Sequence, residues 1–291
     1  MVYLKTFEYH EPSTLAEASS LLSQLGSDAI IYAGGTDIIP KIRYKRIFPA
    51  HLINIKKIPQ LNEISYDEKL TIGALGTFND ICFSKVVRDR FPVLVEVCEH
   101  IASHQVRNLA TIGGNICNAA PSADSPPILI VYGAEVDVFH PTGSRTVLLE
   151  EFFKGPGEVD LKDGEILTKI IIPEVLPNTG HAYIKHTIRK SLDIAIVCVA
   201  VSVTLDEDDK CTDARIVVGA SAPVPLRTRD AEKYLIGTYL QLADVDRAGE
   251  AAVREIAPID DVRGSAKYRR EMTKINLKRA IELAKGRAHH G

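Results

Sequence analysis

The chain has 291 residues, 45% apolar and 25% charged, with 35 basic against 38 acidic side chains for a net charge of −3. That length and balance describe a folded protein with a substantial core, in one large or two smaller domains, and exclude a disordered chain. The charge implies no general attraction to nucleic acid or an anionic membrane, so the basic run from Lys41 to Arg46 reads as a solvated face.

The elements follow in order. Thr14 and Glu17 have capping-box spacing and Gly26 follows an apolar helical pattern, which predicts a helix over 14–25. Ala29–Ala33 reads as a short buried strand running into Gly34-Gly35, and Leu52–Ile55 as another. From about Leu61 the texture changes: "LTIGAL" reads as a strand, "TFNDICFSKVV" as the start of a helix, and "FPVLVEVCEHIAS" as a helix with Pro92 in its first turn. "EVDVFH" and "RTVLLE" flank a Pro-Thr-Gly-Ser turn and predict a hairpin, and Glu165–Pro173 one more strand. A boundary is expected in the stretch 173–180. Beyond it, "HAYIKHTIR", "DIAIVCVAVSVTLD" and "CTDARIVVGAS" predict a three-stranded antiparallel meander with a turn at 207–210. Three helical patterns close the chain.

No segment reaches the ~18–20 apolar residues of a membrane span, and the first twelve residues carry no secretory core. The five cysteines (Cys82, Cys98, Cys117, Cys198, Cys211) are scattered, with no C-x-x-C pair, so neither a metal framework nor a disulfide scaffold is expected. A reduced, cytoplasmic setting fits that usage. His100 and His104 share helical spacing but lack companion ligands and read as structural.

Two glycine pairs stand directly after apolar runs, in "YAGGTD" (32–37) and "TIGGN" (111–115). Glycine permits positive φ and close approach of a ligand to the main chain, and consecutive N–H groups in such turns make concave nests for anions. Two nests could hold a diphosphate from two sides. Neither pair is a G-x-G-x-x-G fingerprint or a Walker loop, so each alone reads first as a tight turn and only weakly as a phosphate site. After the second pair, Asn118, Ser122 and Asp124 lie in a proline-stiffened loop. Asp124 could bind a ribityl or ribose hydroxyl, or cap the helix predicted for "SPPILIVYGA". Conventional acid–base or nucleophile sets are absent, which points to chemistry carried by a bound cofactor.

The ordered set "AGGTDI", "IGALGTFNDIC" and "HQVRNLATIGGNICNAAPSADSPPIL", continued by "DGEILTKIIIP" and "AYIKHTIRKSLDIAIVCVAVSV", resembles the FAD-binding (medium) subunit of the molybdenum hydroxylases, the xanthine dehydrogenase and aerobic-type carbon monoxide dehydrogenase family. The resemblance spans nearly the whole chain. It implies an α+β fold. A FAD-binding domain of the vanillyl-alcohol-oxidase (PCMH) type would cover 1–176, in subdomains of about 1–60 and 61–176. A C-terminal domain, the three-stranded antiparallel sheet with its helical cluster, would cover 177–291. It implies cofactor contacts from Ile31, Tyr32, Ala33, Gly34, Gly35, Thr36, Asp37 and Ile38 in a first loop and from Thr111, Ile112, Gly113, Gly114 and Asn115 in a second. Ile101, Asp124, Ile166 or Leu167, and Lys185 would lie near the flavin.

On that resemblance the cofactor is non-covalent FAD, with no catalytic acid–base residue and no metal or iron–sulfur cluster on this chain. The partners are a small iron–sulfur subunit with two 2Fe–2S clusters and a large molybdenum-cofactor subunit, in a heterotrimer or a dimer of heterotrimers. Electrons would leave through FAD to an external acceptor such as NAD+, quinone, oxygen or a ferredoxin. The alternative is a stand-alone FAD-dependent reductase or oxidase of the same fold class.

Overall fold

The computed structural model describes residues 6–189 and 191–289. Residues 1–5, part of the segment read above for a secretory core, lie outside them. Among the described residues no helix is long and apolar enough to cross a membrane.

Strands β1 (Glu8–His10), β2 (Ala29–Tyr32) and β3 (His51–Asn54) form a parallel sheet in the order β1-β3-β2. Parallel neighbours need a crossover, and the helix Leu15–Leu25 supplies the first. It starts where expected: the Thr14 hydroxyl accepts the Glu17 N–H at 3.1 Å. Leu15, Leu21, Leu22 and Leu25 pack on a small core of Ile53, Ile55, Ile58 and Leu61. β2 ends at Tyr32, one residue short of the expected end, because the chain turns at Ala33 into the glycine pair.

The second sheet is antiparallel. It contains β4 (Ile64–Asp67), β5 (Lys69–Gly73), β6 (Glu135–Phe139) and β7 (Arg145–Leu148); after a small β8 (Phe153–Gly155) and β9 (Glu158–Val159) pair comes β10 (Ile166–Ile172). The order is β4-β5-β10-β6-β7. The β6–β7 hairpin forms as predicted. Between β5 and β6 runs a series of short helices whose Phe78, Phe91, Leu94, Ile112, Ile116 and Ile128 are fully buried and make the largest core. Pro92 opens one of them, Pro92–Glu99. His100 follows that helix and His104 begins the next, so the two histidines do not share a helical face; Ser103 breaks the pattern by capping the second helix.

The third sheet comprises β11 (Thr179–His186), β12 (Val197–Leu205), β13 (Cys211–Gly219) and β14 (Leu226–Arg227), antiparallel and in sequence order. The predicted meander is present. β14 is a fourth strand, too short at two residues to show periodicity. β12 starts later than predicted because the Asp193 carboxylate accepts the Ile188 and Arg189 N–H groups and holds that stretch in a turn. The helices Leu242–Glu255 and Ala266–Ala288 cover one face of the sheet. On the other face Ala200 and Val217 reach into the core of the preceding unit. Helices and sheets are segregated, as in an α+β fold.

Polar ties fix the third sheet to the rest. The Asp124 carboxylate, 9% exposed, accepts the Tyr183 hydroxyl at 2.9 Å and the Lys185 ammonium at 2.7 Å. Arg287 holds Glu96 at 2.8 Å. Burial pushes the Asp124 carboxyl above its ordinary value, and Lys185 opposes that shift.

Two outcomes follow. A Cβ on Gly180 would lie 1.9 Å from the Ala284 carbonyl oxygen, so Gly180→Ala should force β11 and the last helix apart and cost roughly 3 kcal/mol in urea denaturation. Lys185→Met leaves an ionised carboxylate buried without its cation, at a cost of about 3 kcal/mol near neutral pH. A carboxyl whose folded pKa is raised holds its proton more tightly folded than unfolded. The destabilisation should therefore shrink as pH falls through that pKa; a cost that is flat with pH would show that Asp124 is not the group involved.

Candidate cofactor site

A cavity of about 330 Å3 opens between the first and second sheets, a volume at the small end of ligand pockets. One wall is the segment 33–38. Among the described residues, the N–H groups of Gly34, Gly35, Thr36 and Asp37 donate to no acceptor in the chain. Gly35 has φ +75°, a conformation that favours glycine, and the Tyr32 ring packs where its side chain would be. A Cβ on Gly34 would sit 2.0 Å from the Leu109 carbonyl oxygen. The backbone of 33–37 therefore lies directly on the chain just before the second glycine pair. The result is a row of unspent donors facing a cavity, the arrangement that binds anions.

The second pair differs from its expected form. Thr111 to Asn115 is the first turn of a helix, Ile112–Asn118, with Thr111 as its N-cap. Its donors are spent inside the chain. Ile112 N–H donates to the Gly76 carbonyl and Gly113 N–H to that of Ala74. Gly114 N–H donates to the Thr111 hydroxyl at 3.1 Å. The segment is a close-packed wall rather than a second nest. The physical reason is the Thr111 hydroxyl, which completes a helix start where glycine propensity alone suggests a turn. Asn115 orders the next segment by accepting the Ser125 hydroxyl at 2.7 Å.

Most residues implied by the resemblance converge here. Ile31, Ala33 to Ile38, Thr111, Gly113, Gly114, Asn115, Ile166 and Leu167 all line the cavity. Ile166 and Leu167 both do so although strand neighbours point to opposite faces, because the β10–β6 register shifts just after Leu167. Five residues stand apart. Tyr32 lies behind the nest, with the Lys56 ammonium 4.4 Å from its ring centre. Ile112 is fully buried in the large core. Ile101, Asp124 and Lys185 form a second locus, in which Lys185 bridges Asp124 and the carbonyl of His100 at 3.1 Å. Asp124 makes no side-chain cap to the helix Ser125–Val131 that it precedes.

Sequence reasoning missed Lys41 and Glu165. Among the described residues Lys41 is the one basic residue on the cavity wall, and it donates to Asn118 at 2.6 Å. It lies in the run read as a solvated face, of which Arg43, Lys45 and Arg46 are exposed. Glu165 is gripped by Arg145 at 2.7 and 2.8 Å, and that guanidinium holds its carboxyl below the ordinary range. The Cys117 thiol, also on the wall, is pushed up to about 12 by burial. Lys41 and Glu165 are engaged, Cys117 is protonated and Asp37 is exposed, so among the described residues no acid and base on the wall are hydrogen-bonded to each other. The donor row, the aliphatic walls and Lys41 fit the anionic portion of a cofactor whose own ring does the chemistry.

Comparison with known proteins agrees. The family described as the FAD binding domain in molybdopterin dehydrogenase matches residues 5–175, and the CO dehydrogenase flavoprotein C-terminal domain matches residues 182–284. The chain is 35% identical to the carbon monoxide dehydrogenase medium chain of Afipia carboxidovorans, over 97% of this chain and 98% of that one. It is 32% identical to the xanthine dehydrogenase FAD-binding subunit of Escherichia coli, over 96% and 97%. A solved carbon monoxide dehydrogenase from Hydrogenophaga pseudoflava, lacking the Mo-pyranopterin moiety of its cofactor, superposes with a TM-score of 0.95 at 36% identity, over 98% and 99%. This chain belongs to the FAD-binding medium subunits of the molybdenum hydroxylases and is a FAD-dependent oxidoreductase subunit of the carbon monoxide dehydrogenase and xanthine dehydrogenase type.

Proposed function

We propose that this chain relays electrons from two 2Fe–2S clusters on a small partner subunit, fed by a large molybdenum-cofactor subunit, through its FAD to an external acceptor. The observation that carries the reading is the unspent donor row of Gly34 to Asp37 in a cavity where, among the described residues, no acid and base are hydrogen-bonded to each other. The diphosphate would accept from those N–H groups, with Lys41 as the nearby cation. The aliphatic walls would exclude water from the dinucleotide. The loop 115–124 leads from the cavity to Ile101, Asp124 and Lys185, where the flavin ring would lie. Bound FAD supplies reversible redox chemistry, and the chain's own residues hold, orient and shield it.

The proposal extends to organisation. A FAD-binding unit over 1–176, subdivided near residue 60, and a C-terminal unit over 177–291 are supported by the two family matches, which leave only 176–181 between them. Assembly with a small and a large chain is supported by relatives named as medium chains; a cytoplasmic setting and a heterotrimer, or a dimer of heterotrimers, belong to the same proposal.

Denaturing the purified protein should release FAD. Its absence after flavin-supplemented expression would sink the assignment. Gly34→Ala, which drives a Cβ into the Leu109 carbonyl, and Gly114→Val, whose Cβ would lie 2.8 Å from the capping hydroxyl of Thr111, should each cut retained flavin by about tenfold or more. Cys117→Ser should leave it unchanged. Native purification should recover two further chains. A flavoprotein that purifies alone and turns over a small organic substrate would replace the relay by a stand-alone reductase or oxidase.

A further inference from the structure

A cluster away from the cofactor cavity has no part in that function. Glu8 and His10 alternate along β1 and so share a face, and His51 is the register partner of Glu8 on β3. Their ligand atoms converge: His10 Nε2 to His51 Nδ1 is 3.1 Å, His51 Nδ1 to a Glu8 carboxylate oxygen 3.4 Å, and His10 Nε2 to the same oxygen 3.8 Å. The imidazoles are half-buried, with side chains 25% and 19% exposed, whereas Glu8 is 74% exposed. Their rings are tilted by 42°, with centroids 5.3 Å apart, so the contact is through converging nitrogens rather than stacked faces.

A tetrahedral cation with bonds of about 2.0–2.1 Å holds its ligand atoms about 3.3–3.4 Å apart. The three separations bracket that edge. At 3.1 Å one ring nitrogen donates its hydrogen to the other when no cation is bound, which keeps the pair converged. A cation takes both facing nitrogens once the donating ring carries its proton on its other nitrogen, so each imidazole binds in its neutral form. Two imidazoles and one carboxylate suit a borderline divalent ion and discriminate against magnesium and calcium, which need more oxygen ligands.

We propose that Glu8, His10 and His51 form a binding site for a divalent cation of the zinc class, with a fourth position open to solvent. β1 is a three-residue edge strand and β3 is the centre of its sheet. A shared cation fastens the one to the other and stabilises the folded state by mass action.

The test uses the purified full-length protein after chelator treatment, titrated with Zn2+ or Mg2+ by calorimetry and by thermal unfolding. Zn2+ should bind saturably and raise Tm, and Mg2+ should do neither. The double variant His10→Ala with His51→Ala should weaken Zn2+ binding by about tenfold or more and lose the rise in Tm, with flavin content unchanged. Other histidines, such as His289 facing Asp209 at 3.4 Å, contribute equally to both proteins, so the difference reads this site. Equal Zn2+ affinity in the two proteins, or no saturable binding to the parent, overturns the proposal. Where the double variant does not fold, Glu8→Gln at its exposed position decides by the same readouts. A weakened affinity supports the site, and an unchanged one overturns it.

Discussion

The close approach of two backbones sets the architecture of the cofactor site. Gly34 rests on the Leu109 carbonyl with no room for a β-carbon. That contact brings the segment after β2, from the parallel sheet, against the chain entering the helix Ile112–Asn118, from the antiparallel unit. The cavity is the space left between them. An isolated bridge between Thr77 and Thr111 and the hydrogen bond from the Phe78 N–H to the Ala110 carbonyl fix the second side from behind. The row of N–H groups at 34–37 is unpaired because the segment is bent over this contact and belongs to neither a strand nor a helix. These residues are partly exposed, so water can meet their donors when no ligand is bound, and a ligand that accepts from them would replace that water.

The third sheet depends on a different balance. The contact between Asp124 and Lys185 joins a carboxylate and an ammonium that are both largely removed from water. Such a pair is weak evidence of net stability, because desolvation offsets much of the attraction. Its consequence is orientation. Lys185 also donates to the His100 carbonyl, and Tyr183 shares Asp124. One cluster therefore ties β11 both to the loop leaving the second glycine segment and to the end of the helix Pro92–Glu99. In the proposed reading this is where the flavin ring lies, so the groups that align the two units also frame the redox end of the cofactor.

What was legible in the sequence follows the range of the interactions. The first glycine pair was readable because positive φ at Gly35 and crowding at Gly34 each demand the residue that is there. The helix start at Thr14 and the β6–β7 hairpin depend on near neighbours and were readable for the same reason. The second pair was misread as a nest because its glycines argue for a turn, while the capping hydroxyl of Thr111 three residues before Gly114 argues for a helix, and the cap prevails. Asp124 left two local readings open. The structure shows no local cap: its carboxylate is held by residues 59 and 61 positions away. Lys41 was hidden by its basic neighbours, and only Asn118, 77 positions on, shows that it turns inward.

The spent donors of the second segment make the site asymmetric. Ile112, Gly113 and Gly114 all give their N–H groups to partners within the chain, so that wall offers shape and proximity but few free hydrogen bonds. The first segment supplies the free donors, and Lys41 is the only basic side chain among the described residues that line the cavity. Two gripping loops would share an anion between them. In the proposed reading, one donor loop and one packed wall would place it against the donor side. The diphosphate should then be held mainly by main-chain groups, which no side-chain replacement deletes directly. Such a site is vulnerable chiefly where a side chain is added: at Gly34, where it would break the contact between the loops, and at Gly114, where it would press on the Thr111 hydroxyl that starts the helix.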